Sequence, residues 1–271
     1  MYYNIFMEFI INKEKIKSMN NIVFLYSIGG GFGNLSKIVG KKLIETYNGK
    51  IVGRIITDFF PDVVKINEKG YISDNISYKL YYVPIGNYNF LVLYGDFQIM
   101  ILEDPGLSLY FRYKFMNKLF RIISKFNLLE LSIIGGIGSH QLEPENPNYL
   151  FALNKYYDIN KIREKLKELN LYKSNNVIGM SGLFLYYSQL FKKPAYLLLV
   201  ETYLSNQING YFGASKALEV LSMLYDFQVD TSDLKEKGKK LKERIEKDLD
   251  MIKKLEEESK KREKSSGYYY G

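Results

Sequence analysis

The chain has 271 residues, of which 46% are hydrophobic, 25% charged and 15% aromatic; this excludes disordered and collagen-like chains and fits one large domain, or one domain with an appendage. With no cysteine and a single histidine, His140, disulfides, thiolate sites, cysteine nucleophiles and two-histidine metal sites are all excluded, and any serine triad would have to run through His140. The formal charge of +8 suits nucleic acid, an anionic membrane or an acidic protein surface as partner, or a plain Lys-, Ile-, Tyr- and Asn-rich composition bias.

The run Met1–Ile11 is apolar but far short of the ~20 residues of a membrane span. It contains Asn4 and Glu8, and no small-residue cleavage site follows it. It reads as an added strand or helix rather than a signal peptide, with Met19 as an alternative start, and a soluble, cytoplasmic chain is expected. Asn21–Ser27 is an unbroken apolar run, the pattern of a strand covered on both faces. Glycines 29, 30, 31 and 33 turn the chain, and Leu35, Ile38, Val39, Leu43 and Ile44 form a helical stripe. Lys50–Thr57 is a second strand, so the first unit is β-α-β, with parallel pairing as the default. Short strands follow around Tyr71 and over Tyr78–Val83, then a buried strand over Phe90–Tyr94 and a helix over Leu107–Phe126.

Glu130–Ile134 reads as a strand ended by Gly135-Gly136-Ile137-Gly138. A strand near Tyr149–Leu153, helices over Ile159–Leu169 and Ser181–Phe191, a strand over Ala195–Val200 and a helix over Ala214–Tyr225 complete the pattern. Such alternation predicts an α/β fold: a mostly parallel or mixed central sheet with helices on both faces. From Asp230 the composition changes. Asp230–Asp233 offers capping residues for a charged helix with Leu234, Leu241, Ile245, Leu249, Ile252 and Leu255 on one face. Gly238 and Asp248 interrupt the stripe, so it is not a clean coiled coil. Glu256–Lys264 must be solvated, Ser265-Ser266-Gly267 reads as a hinge, and three tyrosines and Gly271 follow.

Several segments could carry chemistry. The loop Gly29–Gly33 could cradle a phosphate at a helix N-terminus, or serve only as a tight, closely packed turn. Ser36 stands where the third fingerprint glycine belongs and no Gly-Lys-Ser/Thr follows, so neither nucleotide motif is satisfied and no cofactor is expected. Ser139 beside His140 invites a hydrolase, yet no G-x-S-x-G elbow exists, and Gly179-Met180-Ser181-Gly182 lacks the spacing. The acidic pairs Asp58/Asp62, Glu103/Asp104 and Glu143/Glu145 could bind a hard cation, although scattered surface carboxylates are commoner, and no metal is expected. Lysines alternate with acids over Lys235–Lys264, as on a solvated helix face, which argues against nucleic acid as partner. Tyr268–Gly271 reads as a docking peptide whose carboxylate a cation captures. Otherwise it folds back onto the domain or is an appended remnant.

Over roughly residues 21–255 the chain resembles the proteasome-assembling chaperones, the family of the second eukaryotic assembly chaperone and its archaeal homologues. The resemblance rests on Gly31-Phe32-Gly33-Asn34 with Leu43-Ile44, on Phe60-Pro61, and on Tyr94-Gly95-Asp96-Phe97-Gln98. It continues through Ile134-Gly135-Gly136, Ile178–Leu183, Glu201-Thr202 and Val229-Asp230 before the last helix. The polar stretch Asn206–Asn209 departs from what that family leads one to expect ahead of the Ala214 helix. Independently, Tyr269-Tyr270-Gly271 matches the hydrophobic-tyrosine-any (HbYX) tail of proteasome chaperones and activators: Tyr269 the hydrophobic position, Tyr270 the tyrosine, Gly271 the carboxylate donor.

The resemblance implies a non-enzymatic, ATP-independent homo-oligomer, a tetramer by analogy with archaeal members, that docks on α-subunits of the proteasome core particle. It involves neither nucleic acid nor membrane. It divides the chain into an N-terminal extension (1–20), the chaperone-like α/β domain (21–229), a helical extension (230–264) and a docking tail (265–271). A rival reading from the residues themselves is a small-molecule hydrolase or ligase using the glycine loops and His140.

Overall fold

The computed structural model describes residues 6–60, 65–74, 77–99, 104–140, 142–173 and 176–266. In chain order the elements are β1 (Met7–Ile11), α1 (Lys13–Lys17), β2 (Ile22–Ile28), one short helical turn (Phe32–Asn34), α2 (Leu35–Thr46), β3 (Lys50–Thr57), β4 (Lys65–Ile66) and β5 (Ile72–Asp74). They continue with β6 (Tyr78–Ile85), β7 (Tyr88–Gly95), α3 (Pro105–Ile123), β8 (Leu128–His140), β9 (Tyr149–Leu153) and α4 (Asn160–Lys165). α5 (Met180–Leu190), β10 (Ala195–Tyr203), α6 (Tyr211–Tyr225) and α7 (Ser232–Ser266) close the sequence.

Eight strands form one mixed sheet in the order β1-β3-β6-β7-β2-β8-β10-β9. Its centre, β7-β2-β8-β10, is parallel, and antiparallel strands extend both edges. All seven residues of β2 are buried. Ile22, Phe24, Tyr26 and Ile28 enter one core layer, and Val23 and Leu25 the other. The first layer is completed by Phe111, Phe115 and Phe120 of α3 and Phe184 of α5. The second is completed by Val39 and Leu43 of α2, Ile162 of α4 and Leu218 and Leu221 of α6. Successive strand side chains point to opposite faces, so a strand apolar at every position needs helices on both.

Two expectations are corrected. β2 and β3 run in the same direction but are not neighbours, because β6 and β7 lie between them. Hairpin closure explains this: β6 and β7 are joined by Gly86-Asn87, with Gly86 at φ +55°, and this local pairing occupies the edge of β2 that β3 would need. Second, β8 does not end at Ile134. It runs through the glycines to His140, with Gly135, Gly136 and Gly138 opposite Leu199, Val200 and Thr202 of β10. A Cβ at Gly136 would stand 2.7 Å from Thr202 Cγ2 and would overlap Phe32 O, so glycine here serves close packing rather than a turn. The N-terminal segment is both a strand and a helix, β1 pairing antiparallel with β3.

Candidate functional site: the glycine-loop cleft and the C-terminal arm

The C-terminal ends of β2, β8 and β10 open into a cleft of about 710 Å³, bounded by the glycine loop, the start of α5 and residues 204–207. This is where parallel sheets place their sites. The glycine loop is held from within. Gly29 N donates to Gly95 O (2.9 Å), Gly30 N to Asn34 Oδ1 (2.9 Å), and Gly33 N to Ser205 O (2.8 Å). Asn34, left-handed at φ 49°, turns its Nδ2 to Asn206 O (2.9 Å) and Asn209 Oδ1 (3.2 Å). The polar Asn206–Asn209 stretch is therefore the partner that ties the β2–α2 loop to the β10–α6 loop.

Ser36, in the place of the third fingerprint glycine, donates to Tyr26 O (2.8 Å), and Ser27 donates back to Ser36 O (2.6 Å). The amides of Gly29, Gly30 and Gly33 are thus committed to the protein, as in a tight turn, and the loop is closely packed at Gly29 and Gly33. The polar side chains described along the cleft, among them Asn34, Gln98, Asn176, Ser181 and Gln207, are uncharged.

The acids flagged in the sequence have structural partners. Asp58 accepts from Phe6 N (3.0 Å), and Asp104 caps α3 by accepting from Leu107 N (2.8 Å). Glu145 pairs with Lys242 at 2.8 Å, which holds its carboxyl below the usual range. Asp62 and Glu103 lie outside the described residues. Glu143 is buried and takes three donors: Thr202 Oγ1 of β10 (2.9 Å) and, at the start of α6, Phe212 N (3.1 Å) and Gly213 N (2.9 Å). It occupies the helix N-terminus as an internal anion. Burial pushes its carboxyl up to about 6, against the pull of Gly213 N–H, the Thr202 hydroxyl and the Phe212 and Tyr211 amides. Sequence reasoning placed Glu143 among possible cation ligands and missed this cap, since 59 residues separate it from Thr202.

Of the Ser139/His140 pair, the backbone ends β8, His140 facing Tyr203 across the ladder. Gly179, at φ +98°, precedes α5, and Ser181 falls in its first turn.

The arm is built separately. Leu234 is buried, and Gly238 brings α7 against the ring of Phe212 on α6, where a Cβ would be only 3.0 Å from the ring carbons. Lys42–Asp233 (2.6 Å), Lys235–Glu219 (2.8 Å) and Lys242–Glu145 (2.8 Å) fix the first turns to α2, α6 and the loop before β9. Leu241, Ile245 and Leu249 are half-buried, and from Asp250 to Glu258 every side chain is exposed. The helix runs on to Ser266, through two residues read from sequence as hinge. Those 17 residues beyond Leu249 extend about 25 Å. Gly267 and the tail residues Tyr269, Tyr270 and Gly271 lie outside the described residues.

Among the described residues no helix is long and apolar enough to cross a membrane. No curated protein matches the chain. In fold it is similar to PbaB of Pyrococcus furiosus, an archaeal proteasome activator, with TM-score 0.71 and 17% identity over 92% of this chain and 98% of that one. It is also similar to Pyrococcus furiosus PbaA, an archaeal homologue of proteasome-assembly chaperone, with TM-score 0.64 and 17% identity over 98% and 99%. A Thermoplasma acidophilum protein of unknown function superposes with TM-score 0.67 and 20% identity over 92% and 94%. At these identities the solved structures establish the shared fold. The PAC2 family profile matches residues 30–249, from the glycine loop to the last packed residue of α7, and the chain therefore belongs to the PAC2 family.

Proposed function

We propose that this chain is a non-enzymatic, ATP-independent proteasome assembly chaperone or activator that acts in the cytoplasm. It docks on α-subunits of the core particle through Tyr269, Tyr270 and Gly271. The observation that carries the reading is the arm: in a PAC2-family chain, α7 packs against the body as far as Leu249 and then continues as a helix whose side chains are exposed from Asp250 to Glu258. A helical spacer of this kind lets a short aromatic peptide reach a pocket on a partner while the domain stays outside it. One such peptide immobilises few groups and binds weakly. Several copies on one homo-oligomer, a tetramer by analogy, raise the effective concentration and make docking avid. Against the rival hydrolase or ligase, the loop amides of Gly29, Gly30 and Gly33 are consumed by the protein, and the buried carboxylate of Glu143 is held by the N-terminus of α6.

The test compares core-particle peptidase activity and co-elution for the full chain and for a variant lacking Tyr269–Gly271. Complex formation and faster hydrolysis, both lost on deletion, are expected of a docking activator. Binding without stimulation identifies an assembly chaperone. A full chain that neither binds nor stimulates refutes the docking reading.

A further inference from the structure

Two exposed faces of this molecule have no use in the structure described so far, and they are complementary. The first is on the α3–α5 layer. Leu109, Tyr110 and Tyr113 of α3 and Tyr186 and Leu190 of α5 are each about half exposed, between 43% and 54%. The two helices meet through Tyr187, whose hydroxyl donates to Tyr113 O (3.2 Å). Between them and β1 runs a groove of about 690 Å³. α3 is charged with one sign only: it carries Arg112, Lys114, Lys118 and Arg121 and no Asp or Glu, and α5 carries no charge at all. Arg112 turns inward to Ile99 O (2.8 Å) and Lys118 bonds Met7 O, which leaves Lys114, lying over the Tyr110 ring, and Arg121, bonded to Asn117 Oδ1 (2.7 Å), exposed about two turns apart along the groove. Half-exposed tyrosines and leucines on two adjacent helices have the composition of an interaction surface.

The second face is the distal stripe of α7. Met251, Ile252 and Leu255 are 64%, 51% and 59% exposed, following the half-buried Ile245 and Leu249. Residues 245–258 hold six acids and three lysines. Asp248 and Glu256 stand four residues either side of Ile252, on the same helix face, so the stripe is apolar with carboxylates set into it. The acidic residue that spoils a coiled-coil reading of α7 is matched to a cationic groove.

We infer that the distal half of α7 seats in the α3–α5 groove of a second copy of this chain. Its Ile252 stripe lies against the Tyr110–Tyr113–Tyr186 face, and Asp248 and Glu256 are opposed to Lys114 and Arg121. Within one chain the contact is excluded by the layers: α7 leaves from the α2–α6 side of the sheet, and the groove is on the other side. Face-to-face pairing of two α3 helices sets like charges together and is disfavoured. The contact is head-to-tail, so it repeats around a ring where the rotation closes. The inference rests on the self-association in the proposed function and is independent of core-particle docking.

Sedimentation velocity over the micromolar range tests it on the full chain. The groove variant is Lys114→Glu with Arg121→Glu, the arm variant is Asp248→Lys with Glu256→Lys, and the third chain carries all four changes. Each reversal alone is expected to weaken self-association at least about tenfold, and the four together to restore it, because opposite signs again face each other. Far-ultraviolet circular dichroism and unchanged thermal unfolding show that the variants fold. An oligomer insensitive to both reversals, sensitive to only one, or not restored by the combination, overturns this interface and leaves self-association standing. A wild-type chain that stays monomeric overturns both. Neither result bears on tail docking, which is read separately by deleting Tyr269–Gly271.

Discussion

Glu143 offers a direct measurement of which of two opposing effects governs the heart of the molecule. Its carboxylate is buried, which disfavours charge, and it accepts from the Phe212 and Gly213 amides at a helix N-terminus and from the Thr202 hydroxyl, which favours it. The balance raises the carboxyl from an ordinary 4.5 to about 6. That rise corresponds to about 2 kcal/mol. Well below pH 4.5 the side chain is protonated in both folded and unfolded chains, and at pH 4.5 the unfolded one is half ionised. As pH climbs from there to about 6, the unfolded chain ionises while the folded one still holds its proton, so stability is lost over this window and is constant above it. Wild type should therefore be about 2 kcal/mol less stable at pH 7.5 than at about pH 3 on account of this residue alone. Glu143→Gln isolates it. The amide costs roughly 1–3 kcal/mol at every pH, because its NH₂ must face an amide donor of α6, but it does not titrate. Urea unfolding of both chains across that range, with one stability subtracted from the other, cancels every other carboxylate. A difference that stays flat, or that grows in wild type's favour with pH, refutes the reasoning and shows that the donors of α6 outweigh burial.

Gly33→Ala should destabilise by about 2–4 kcal/mol, since φ is +62° and the new Cβ would lie 2.9 Å from Thr202 Cγ2. Calorimetry should find the unfolding temperature lowered by at least about 5 °C, and an unchanged value would mean that Thr202 does not close this gap. Gly238→Leu should push α7 off the Phe212 ring and leave the sheet intact. The readout is faster tryptic cleavage between residues 235 and 247 at undiminished strand content, and an unaltered cleavage rate would show that Gly238 is not the seat of the arm.

Much of the fold was legible because it is written in local period. The strands Lys50–Thr57 and Tyr149–Leu153 coincide with the sequence reading to the residue. α2, α3, α5 and α6 fall within a few residues of their stripes. The resemblance was legible too, because its motifs are short runs: Gly31–Asn34, Tyr94–Gln98 and Ile178–Leu183 form or flank the loops and strand ends of the cleft. Beyond reach was the use of each glycine. Gly86 turns a hairpin and Gly136 lies mid-strand, and sequence alone does not distinguish a glycine chosen for its φ from one chosen for a neighbour's approach. The tail reading, Tyr269–Gly271, was made from sequence alone and stands as the proposal to be tested.

The sequence by itself determined the type of nearly every element, the two-sided burial of the central strands and the change of character at Asp230. These depend on side-chain periodicity over a few residues, which the backbone geometry of helices and strands converts directly into faces. Only the tertiary structure decided that β6 and β7 separate β2 from β3, that Asn34 is anchored by Asn206 and Asn209 more than 170 residues away, and that Glu143 caps α6. It also decided which apolar faces remain uncovered, those of α3, α5 and the far end of α7. A hydrophobic stripe states that a face seeks cover. Whether the chain's own fold supplies that cover depends on which elements come to lie against it, a property of the packed layers rather than of any segment.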